Sequence, residues 1–179
     1  AEKAGIIKQG SSVITAESAP SPAIIAQAKR CSAPLLIAQQ SYHYHILQLN
    51  DPLSPWHYQY QEEEPLLLQP PKLMGRHQYQ NSAAALTALQ LAQRALTLTP
   101  ITAESINQGL DSVELLGRLQ RLEAANAPRL YLDVTHNPQG AAQLAKVLSN
   151  TYPNRRIVAI YGALVDKDAK AVTALLKQL

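Results

Sequence analysis

The sequence predicts an α/β fold in which a parallel sheet and a small antiparallel sheet precede a second α/β region. Three observations favour this class. Apolar runs of strand length alternate with segments of helical periodicity at both ends of the 179-residue chain. Between them, residues 42–69 are rich in Tyr and Leu at alternating positions, as antiparallel strands often are. Hydrophobic residues make up 46% of the chain, which is enough to bury a sizeable core.

The first region begins with a strand, helix, strand unit. GSSVITA (residues 10–16) and PLLIA (34–38) have the character of strands. The helix between them, within residues 20–31, has Ser21 as its cap and Pro22 at its first position. Two strands joined by one helix predict parallel pairing.

Three antiparallel strands are predicted next, in YHYHILQL, HYQYQ and EPLLLQ. A helix follows over NSAAALTALQLAQRAL (81–96), and its small and apolar residues on almost every face predict burial on most sides. A shorter helix is expected to have Thr102 as its cap and Glu104 in its first turn, and to end at Gly109.

The second region repeats the alternation of strand and helix. RLYLDV (129–134) and RRIVAIYG (155–162) are predicted strands, and a helix follows each of them, the first with Pro138 at its first position. This alternation predicts a second parallel sheet. We place a domain boundary between residues 110 and 111, so that residues 1–110 and 111–179 belong to different domains.

Composition argues against several classes of protein. The formal net charge is +3, and its Lys and Arg residues are scattered singly, which disfavours nucleic acid as a partner. No apolar run approaches the roughly 20 residues of a membrane span. The single Cys31 cannot form an internal disulfide, which suits a reducing compartment, so we expect a cytoplasmic protein. A monomer is the default expectation for the oligomeric state, which the sequence itself does not identify. The chain begins without Met and stops inside a predicted helix, so we also expect a fragment of a longer protein.

The segment YLDVTHNP (131–138) ends a predicted strand in unusually many polar groups. Ligands of open α/β sheets bind at the carboxyl ends of strands. There Asp133 could accept hydrogen bonds from ribose hydroxyls, and His136 could donate to, or pair with, an anion. An alternative remains open, in which Asp133 caps the following helix and His136 is a surface turn residue.

Five segments, in the same order along the chain, carry a family resemblance. They are EKAGIIKQGSSVIT, PKLMGRHQYQNSAAALTAL, LLGRLQRL, LDVTHNPQGAAQLAKVL and YGALVDKDAKAV. These resemble the EKAGI, LxGxHQxxNAAxAL, PGR, LDxAHNP and DKD segments of the dihydrofolate synthase and folylpolyglutamate synthase family, within the Mur ligase superfamily. The sequence departs from the family at Leu116, where Pro is usual, at Val134, where a small residue is usual, and at Thr135, where Ala is common.

The resemblance implies a fold and an activity. The fold is the end of a Mur-ligase-type central ATPase domain, followed by the start of a Rossmann-like C-terminal domain. The activity is ATP-dependent ligation of L-glutamate to dihydropteroate, to folates or to both, through an acyl phosphate, with Mg²⁺ as cofactor, in folate and one-carbon metabolism. The family's phosphate loop lies upstream, and no GxxxxGK[ST] occurs here, so this chain alone should be inactive. Two alternatives are a Mur-type amino acid ligase of cell-wall synthesis and a non-catalytic nucleotide-binding module.

The resemblance also implies roles for individual residues. Lys3 corresponds to a lysine that becomes carbamylated and holds the metal, which would make it both catalytic and a metal ligand. Arg118 is assigned to the ATP phosphates, and together with His136 it completes the implied catalytic set. The alternative for Lys3 and for Arg118 is an ordinary surface residue.

The remaining nucleotide-binding residues would be Asp133 and two amides of the buried helix. Gln78 and Asn81 can each donate and accept, as an adenine edge requires, although Asn81 could simply cap its helix. His77 is an orienting residue without a defined role. Helix capping is the default for the acidic residues of the DKD segment (166–168). His43 and His45 would share one strand face, but no third metal ligand is evident nearby.

Overall fold

The computed structural model describes residues 2–122, 129–177 and 179. The chain divides into two compact units. Unit 1 comprises Ala1–Lys72 and Arg76–Ser112, and unit 2 comprises Leu73–Gly75 and Val113–Leu179. None of the helices in the described part of the chain combines the length and the apolar character that crossing a membrane requires.

A parallel strand pair opens unit 1, after a 3-10 helix at Glu2–Ile6. The elements are β1 (Val13–Thr15), α1 (Pro22–Arg30) and β2 (Leu35–Ile37). Strands β1 and β2 pair in parallel, as the strand, helix, strand pattern predicted. Ser21 occupies the N-cap position of α1 and Pro22 its first turn, and a small core forms around Ile7, Ala28 and Ala33.

An antiparallel sheet follows in the order β3 (Tyr42–Ile46), β4 (Trp56–Tyr60) and β5 (Leu66–Leu68). This arrangement confirms the three predicted strands. The central strand alternates strictly, because Trp56, Tyr58 and Tyr60 are buried whereas the residues between them are half-buried. These aromatic side chains form the main core of unit 1.

Helix α2 (His77–Leu96) packs against this sheet and begins four residues before the predicted start. Its buried residues form one stripe, namely Tyr79, Ala83, Leu86 and Thr87. The prediction of burial on most sides is therefore wrong for the described part of the chain. Some of the small residues that suggested it, such as Ala85 and Ala88, are exposed, since packing on one side buries only one stripe of a helix.

Helix α3 (Ala103–Ser112) completes unit 1. Its predicted cap is confirmed, because Thr102 Oγ1 accepts a hydrogen bond from the Ser105 amide at 3.2 Å. The predicted end at Gly109 is wrong, since the helix continues three residues further. Gly109 is not among the glycines with positive φ, and a glycine ends a helix most readily from that left-handed conformation.

Unit 2 contains β6 (Gln120–Leu122), β7 (Leu130–Leu132), α4 (Pro138–Thr151) and α5 (Ala169–Leu176). The two helices bury Ala141, Val147, Leu148 and Val172. The mixed α/β class is thus confirmed, with Pro138 at the first position of α4 as predicted.

The second parallel sheet, however, is absent from residues 113–122 and 129–177. Strand β6 pairs with β7 in the antiparallel sense, and residues 155–162 form no strand. Val158 and Ile160 there are 73% and 98% exposed. The sequence of this segment favours a strand, but a strand requires a hydrogen-bonded neighbour, and none of the described segments supplies one.

Candidate functional site

The carboxyl end of β7 carries Asp133, whose side chain joins two segments of unit 2. Its Oδ2 accepts a hydrogen bond from the Leu119 amide at 2.8 Å. Its Oδ1 accepts one from the Thr135 amide at 2.9 Å and another from the Thr135 hydroxyl. A carboxylate offers about four acceptor positions, so three are filled within the protein and one at Oδ2 remains.

The loop that Asp133 holds contains Arg118 between two residues of left-handed conformation. Gly117 has a φ of 69° and Leu119 a φ of 45°. The Gly117 carbonyl accepts from the Val134 amide at 2.8 Å, and a Cβ atom at Gly117 would lie 2.5 Å from Val134 Cγ1. Glycine is therefore required at position 117, both for its backbone conformation and for the close approach of Val134.

The Arg118 side chain is exposed, and no salt bridge or side-chain hydrogen bond joins it to any residue in the described ranges. Its backbone is fixed instead, because the Arg118 amide donates to the Leu115 carbonyl at 3.2 Å. A guanidinium on a fixed backbone, with no carboxylate partner among the described residues, can bind an anion bidentately.

His136 lies in the turn between β7 and α4. Its Nδ1 lies 2.9 Å from the Val134 carbonyl, which can only accept, so Nδ1 carries the proton and donates. In the neutral ring Nε2 is then an acceptor, and on protonation it becomes a second donor. The turn thereby fixes the ring while leaving Nε2 for a ligand.

The Asp166 carboxylate pairs with the neighbouring Lys167. The Lys167 ammonium donates to Asp166 Oδ2 at 2.8 Å and lowers the pKa of that carboxyl, and the nearby His136 lowers it further. The default expectation of a helix cap is not met at Asp166, whose carboxylate accepts from Lys167 instead.

The helix caps exclude one interpretation that the sequence left open. Asn137 caps α4, because its Oδ1 accepts from the Gly140 amide at 2.8 Å. Asp133 therefore does not cap this helix. In α5, Asp168 is the cap and accepts from the Ala171 amide at 3.0 Å, as the residue types predict.

In unit 1, Gln78 and Asn81 are neighbours on the first turns of α2. Asn81 Nδ2 donates to Gln78 Oε1 at 3.1 Å, and Gln78 Nε2 lies 3.1 Å from His77 Nε2. Asn81 is the fifth residue of α2, so it is not the helix cap. Lys3 lies in the 3-10 helix, and its side chain falls outside the described part of the structure.

The predicted site residues line neither of the two cavities found in the described part of unit 1. The described residues contain no group of three or more His, Cys, Asp or Glu side chains that could hold a metal ion. His45 does pair across the sheet with His57, a neighbour that the spacing of the histidines along the chain does not indicate. A cavity of about 470 Å³ near the end of α2 includes Arg94, but that cation is paired with Glu63 and stacks 4.9 Å above the Tyr60 ring.

The predicted site residues thus form two groups, one in each unit of the chain. In unit 2, Arg118, Asp133 and His136 surround the junction of the residue 115–120 loop with the end of β7. In unit 1, Gln78 and Asn81 share one hydrogen bond. Sequence reasoning missed the hydroxyl of Thr135, although a hydroxyl residue two positions after Asp is a recognisable turn signal.

Comparison with protein families identifies the second part of the chain. Residues 117–179 match the family described as Mur ligase, glutamate ligase domain. A relative named dihydrofolate synthase/folylpolyglutamate synthase from Bacillus subtilis is 32% identical over 171 residues, which cover 93% of this chain and 38% of that protein. The protein of the same name from Escherichia coli is 36% identical over 99 residues, covering 55% of this chain and 22% of the relative.

Solved structures extend the similarity to almost the whole chain. Escherichia coli FolC in complex with ADP, without folate substrate, has a TM-score of 0.80 and 29% identity, covering 98% of this chain and 39% of FolC. The bifunctional folylpolyglutamate synthase/dihydrofolate synthase of Yersinia pestis, complexed with AMPPNP and Mn ion, has a TM-score of 0.79 and 29% identity, covering 99% of this chain and 39% of that enzyme.

The chain spans about two fifths of the length of these structures and of the Bacillus subtilis relative. Within that span, the five sequence segments, the family match and the fold all indicate the same kind of ligase. Residues 117–179 thus belong to the Mur ligase, glutamate ligase domain family, and over nearly its whole length the chain is similar in sequence and fold to dihydrofolate synthase/folylpolyglutamate synthases.

Proposed function

We propose that the protein containing this chain is an ATP-dependent ligase that joins L-glutamate to dihydropteroate, to folates or to both. The observation that carries the proposal is the Arg118 loop held against the Asp133–His136 turn, at a strand end where α/β sheets bind ligands. The similar structures support it, since they are complexes with ADP, with AMPPNP and Mn ion and, in another case, with AMPPCP and folate.

The domain assignment is part of the proposal. Residues 1–110 would be the C-terminal part of a central ATPase domain, and residues 111–179 the N-terminal part of a ligase domain. The division of the chain near Ser112 and the family match over residues 117–179 both support this assignment. We further propose that the enzyme acts in the cytoplasm, where folates and ATP are available.

Unit 2 would supply cationic groups to the nucleotide. Arg118 would bind phosphate oxygens in bidentate fashion, and protonated His136 would donate from Nε2. Charge spreads over the transferred phosphoryl group in the transition state, so fixed cations around it lower the barrier. Asp133 has one acceptor position left at Oδ2, which would take a single ribose hydroxyl.

Unit 1 would contribute an adenine contact and a metal ligand. Gln78 and Asn81 already share one hydrogen bond, and each retains further donors and acceptors for a base edge. Mg²⁺ prefers oxygen ligands, and the described residues contain no ready-made cluster of them. A carbamate on Lys3 would provide oxygens, and the bound ion would neutralise developing phosphoryl charge.

The chemistry is a two-step amide synthesis. A substrate carboxylate takes the terminal phosphoryl group of ATP, giving an acyl phosphate and ADP. The amine of L-glutamate then attacks the acyl carbon, an amide bond forms, the C–O bond to phosphate breaks, and the amine loses a proton. The residues of this chain would bind and orient the nucleotide, which positions the phosphoryl group for the carboxylate.

The test is ADP release by the full-length protein in the presence of L-glutamate. We expect release with dihydropteroate or a folate as acceptor and none with a cell-wall precursor. Release only with the precursor would overturn the proposal in favour of a cell-wall amino acid ligase. Absence of release with every acceptor, despite MgATP binding, would favour a non-catalytic nucleotide-binding module.

A second expectation concerns the 179-residue chain alone. Because it contains no GxxxxGK[ST] loop, we expect no ligase activity and weak MgATP binding by isothermal titration. A micromolar dissociation constant, about −8 kcal/mol, would mean that the chain holds a complete nucleotide site.

The Lys3 assignment has its own test. In the full-length enzyme, Lys3→Ala should lower turnover steeply by removing a metal-binding carbamate, and millimolar acetate or formate should restore part of it. A carbon-13 signal after addition of labelled bicarbonate would detect the carbamate directly. Near-normal turnover of Lys3→Ala, without such a signal in the wild type, would show an ordinary lysine.

A further inference from the structure

The strongest unassigned feature of unit 2 is the set of hydrogen bonds around Thr135. This residue follows Asp133 by two positions and sends both of its donors to the same carboxylate oxygen. The Thr135 amide donates to Asp133 Oδ1 at 2.9 Å, and the Thr135 hydroxyl donates to that oxygen as well. Two donors from one residue fix the plane of the carboxylate more firmly than one would.

The other oxygen of that carboxylate holds a residue 14 positions earlier. Asp133 Oδ2 accepts from the Leu119 amide at 2.8 Å. Leu119 has a φ of 45°, a left-handed conformation that is unfavourable for a residue with a Cβ atom. Such a conformation persists only where its surroundings impose it, and the bond to Asp133 is a direct restraint.

Arg118 lies between two such left-handed residues, so the direction of its side chain depends on the conformation of this turn. Gly117 on its other side is tied to the Val134 amide at 2.8 Å and to the Gln120 side chain at 3.1 Å. The restraints on Gly117 do not act on Leu119. Release of the Leu119 amide would therefore free one side of Arg118.

We propose that Thr135 is a positioning residue for Arg118, acting through the Asp133 carboxylate and the Leu119 amide. The proposal rests on the proposed function in one respect, since it assumes that Arg118 binds the phosphates of ATP. The group of Thr135 that exerts this effect is its hydroxyl, which donates to Asp133 Oδ1. An alanine, the residue common at this position in the family that the sequence resembles, would leave Asp133 Oδ1 with the backbone donor alone.

Packing gives Thr135 a second, separable contact. A Cβ atom at Gly140 would lie 3.3 Å from Thr135 Cγ2, so the methyl group of Thr135 lies close to the first turn of α4. Thr135→Val keeps this methyl group and removes the hydroxyl. Thr135→Ser keeps the hydroxyl and removes the methyl group. The pair of variants therefore separates positioning from packing.

The first measurement is amide hydrogen exchange of the segment 117–122 in the full-length protein, by mass spectrometry. We expect Thr135→Val to accelerate exchange there severalfold, and Thr135→Ser to stay close to the wild type. Segments of α4 serve as internal reference, since a general loss of stability would accelerate exchange there as well. Faster exchange in Thr135→Ser than in Thr135→Val would overturn the proposal in favour of packing.

The second measurement is the Michaelis constant for ATP in the same proteins. We expect Thr135→Val to raise it about fivefold, corresponding to roughly 1 kcal/mol for one hydrogen bond, and Thr135→Ser to leave it near the wild-type value. Unchanged exchange and an unchanged constant in Thr135→Val would overturn the proposal. A wild-type protein that does not use ATP at all would instead refute the proposed function, while the exchange data would still decide whether Thr135 restrains the turn.

Discussion

At the scale of single residues, Asp133 is the group on which most of the site depends. Its carboxylate accepts three hydrogen bonds from two donor residues, Leu119 and Thr135, and an asparagine amide cannot reproduce this set. The amide has one oxygen, so its NH₂ group must face one of the protein donors. Loss of the charge and the mispaired donor therefore act together.

We expect Asp133→Asn in the full-length enzyme to raise the Michaelis constant for ATP. A charge-assisted hydrogen bond is worth roughly 1.5 to 3 kcal/mol, which corresponds to a rise of about 10- to 150-fold. Steady-state kinetics at varied ATP would measure it. Asp51→Asn is the matched control, because Asp51 also accepts from the amide two positions later, Leu53, at 2.9 Å, but lies in an exposed turn. An equal effect of both variants would contradict the special role of Asp133.

The scale of elements is where sequence and structure differ most. Local sequence patterns were sufficient to predict the parallel pairing of β1 and β2, the alternating burial along β4 and the first turn of α4. Each of these features depends on residues close together in the chain. Residues 155–162 have the composition of a strand, but pairing depends on a neighbour that no local pattern reveals.

The same distinction applies to the site. The polar residues after β7 indicated Asp133 and His136 from the sequence alone, because strand ends in α/β sheets are where ligands bind. The hydrogen bond from the Leu119 amide to Asp133 spans 14 positions, and the one from the Val134 amide to Gly117 spans 17. Such contacts arise from tertiary folding, so motif spacing could not predict them.

Gly109 offers an element-scale prediction. It lies in the interior of α3 without a positive φ, and a Cβ atom added there would meet nothing within 4 Å. Alanine is favoured over glycine inside a helix by roughly 0.5–1 kcal/mol, so Gly109→Ala should stabilise unit 1 by about that amount in urea unfolding. Gly117→Ala, with its left-handed φ and its clash with Val134, should destabilise unit 2 instead. Destabilisation by Gly109→Ala would mean that α3 ends earlier.

At the scale of the whole molecule, buried tyrosines make stability depend on alkaline pH. Burial raises the pKa of Tyr42 to about 12, and the neighbouring Tyr44 adds to the effect. Burial also raises the pKa of Tyr58. An unfolded tyrosine ionises near pH 10, so above that pH the folded state holds protons that the unfolded state has lost. The stability these phenols contribute is complete below pH 10 and is lost as pH rises towards 12.

Tyr42→Phe tests this expectation. The Tyr42 hydroxyl donates to the Thr15 carbonyl at 2.8 Å, so its removal should cost about 1 kcal/mol at pH 8. Between pH 10 and 12 the variant should lose stability less steeply than the wild type, by up to about 1.4 kcal/mol for each pH unit. Urea unfolding at a series of pH values would measure both effects. Parallel pH curves for the two proteins would show that Tyr42 ionises normally in the folded state.

The burial of Trp56 has a practical consequence for following how this chain unfolds. It is the only tryptophan in the sequence, it is 0% exposed, and its ring nitrogen donates to the Gln69 carbonyl at 2.9 Å. Its emission should therefore be blue-shifted in the folded chain and should move to longer wavelength when the aromatic core of unit 1 opens. Tryptophan fluorescence then does not report on unit 2, which contains no indole. A calorimetric transition without an accompanying wavelength shift would belong to unit 2, so one unmodified sample can distinguish the melting of the two units.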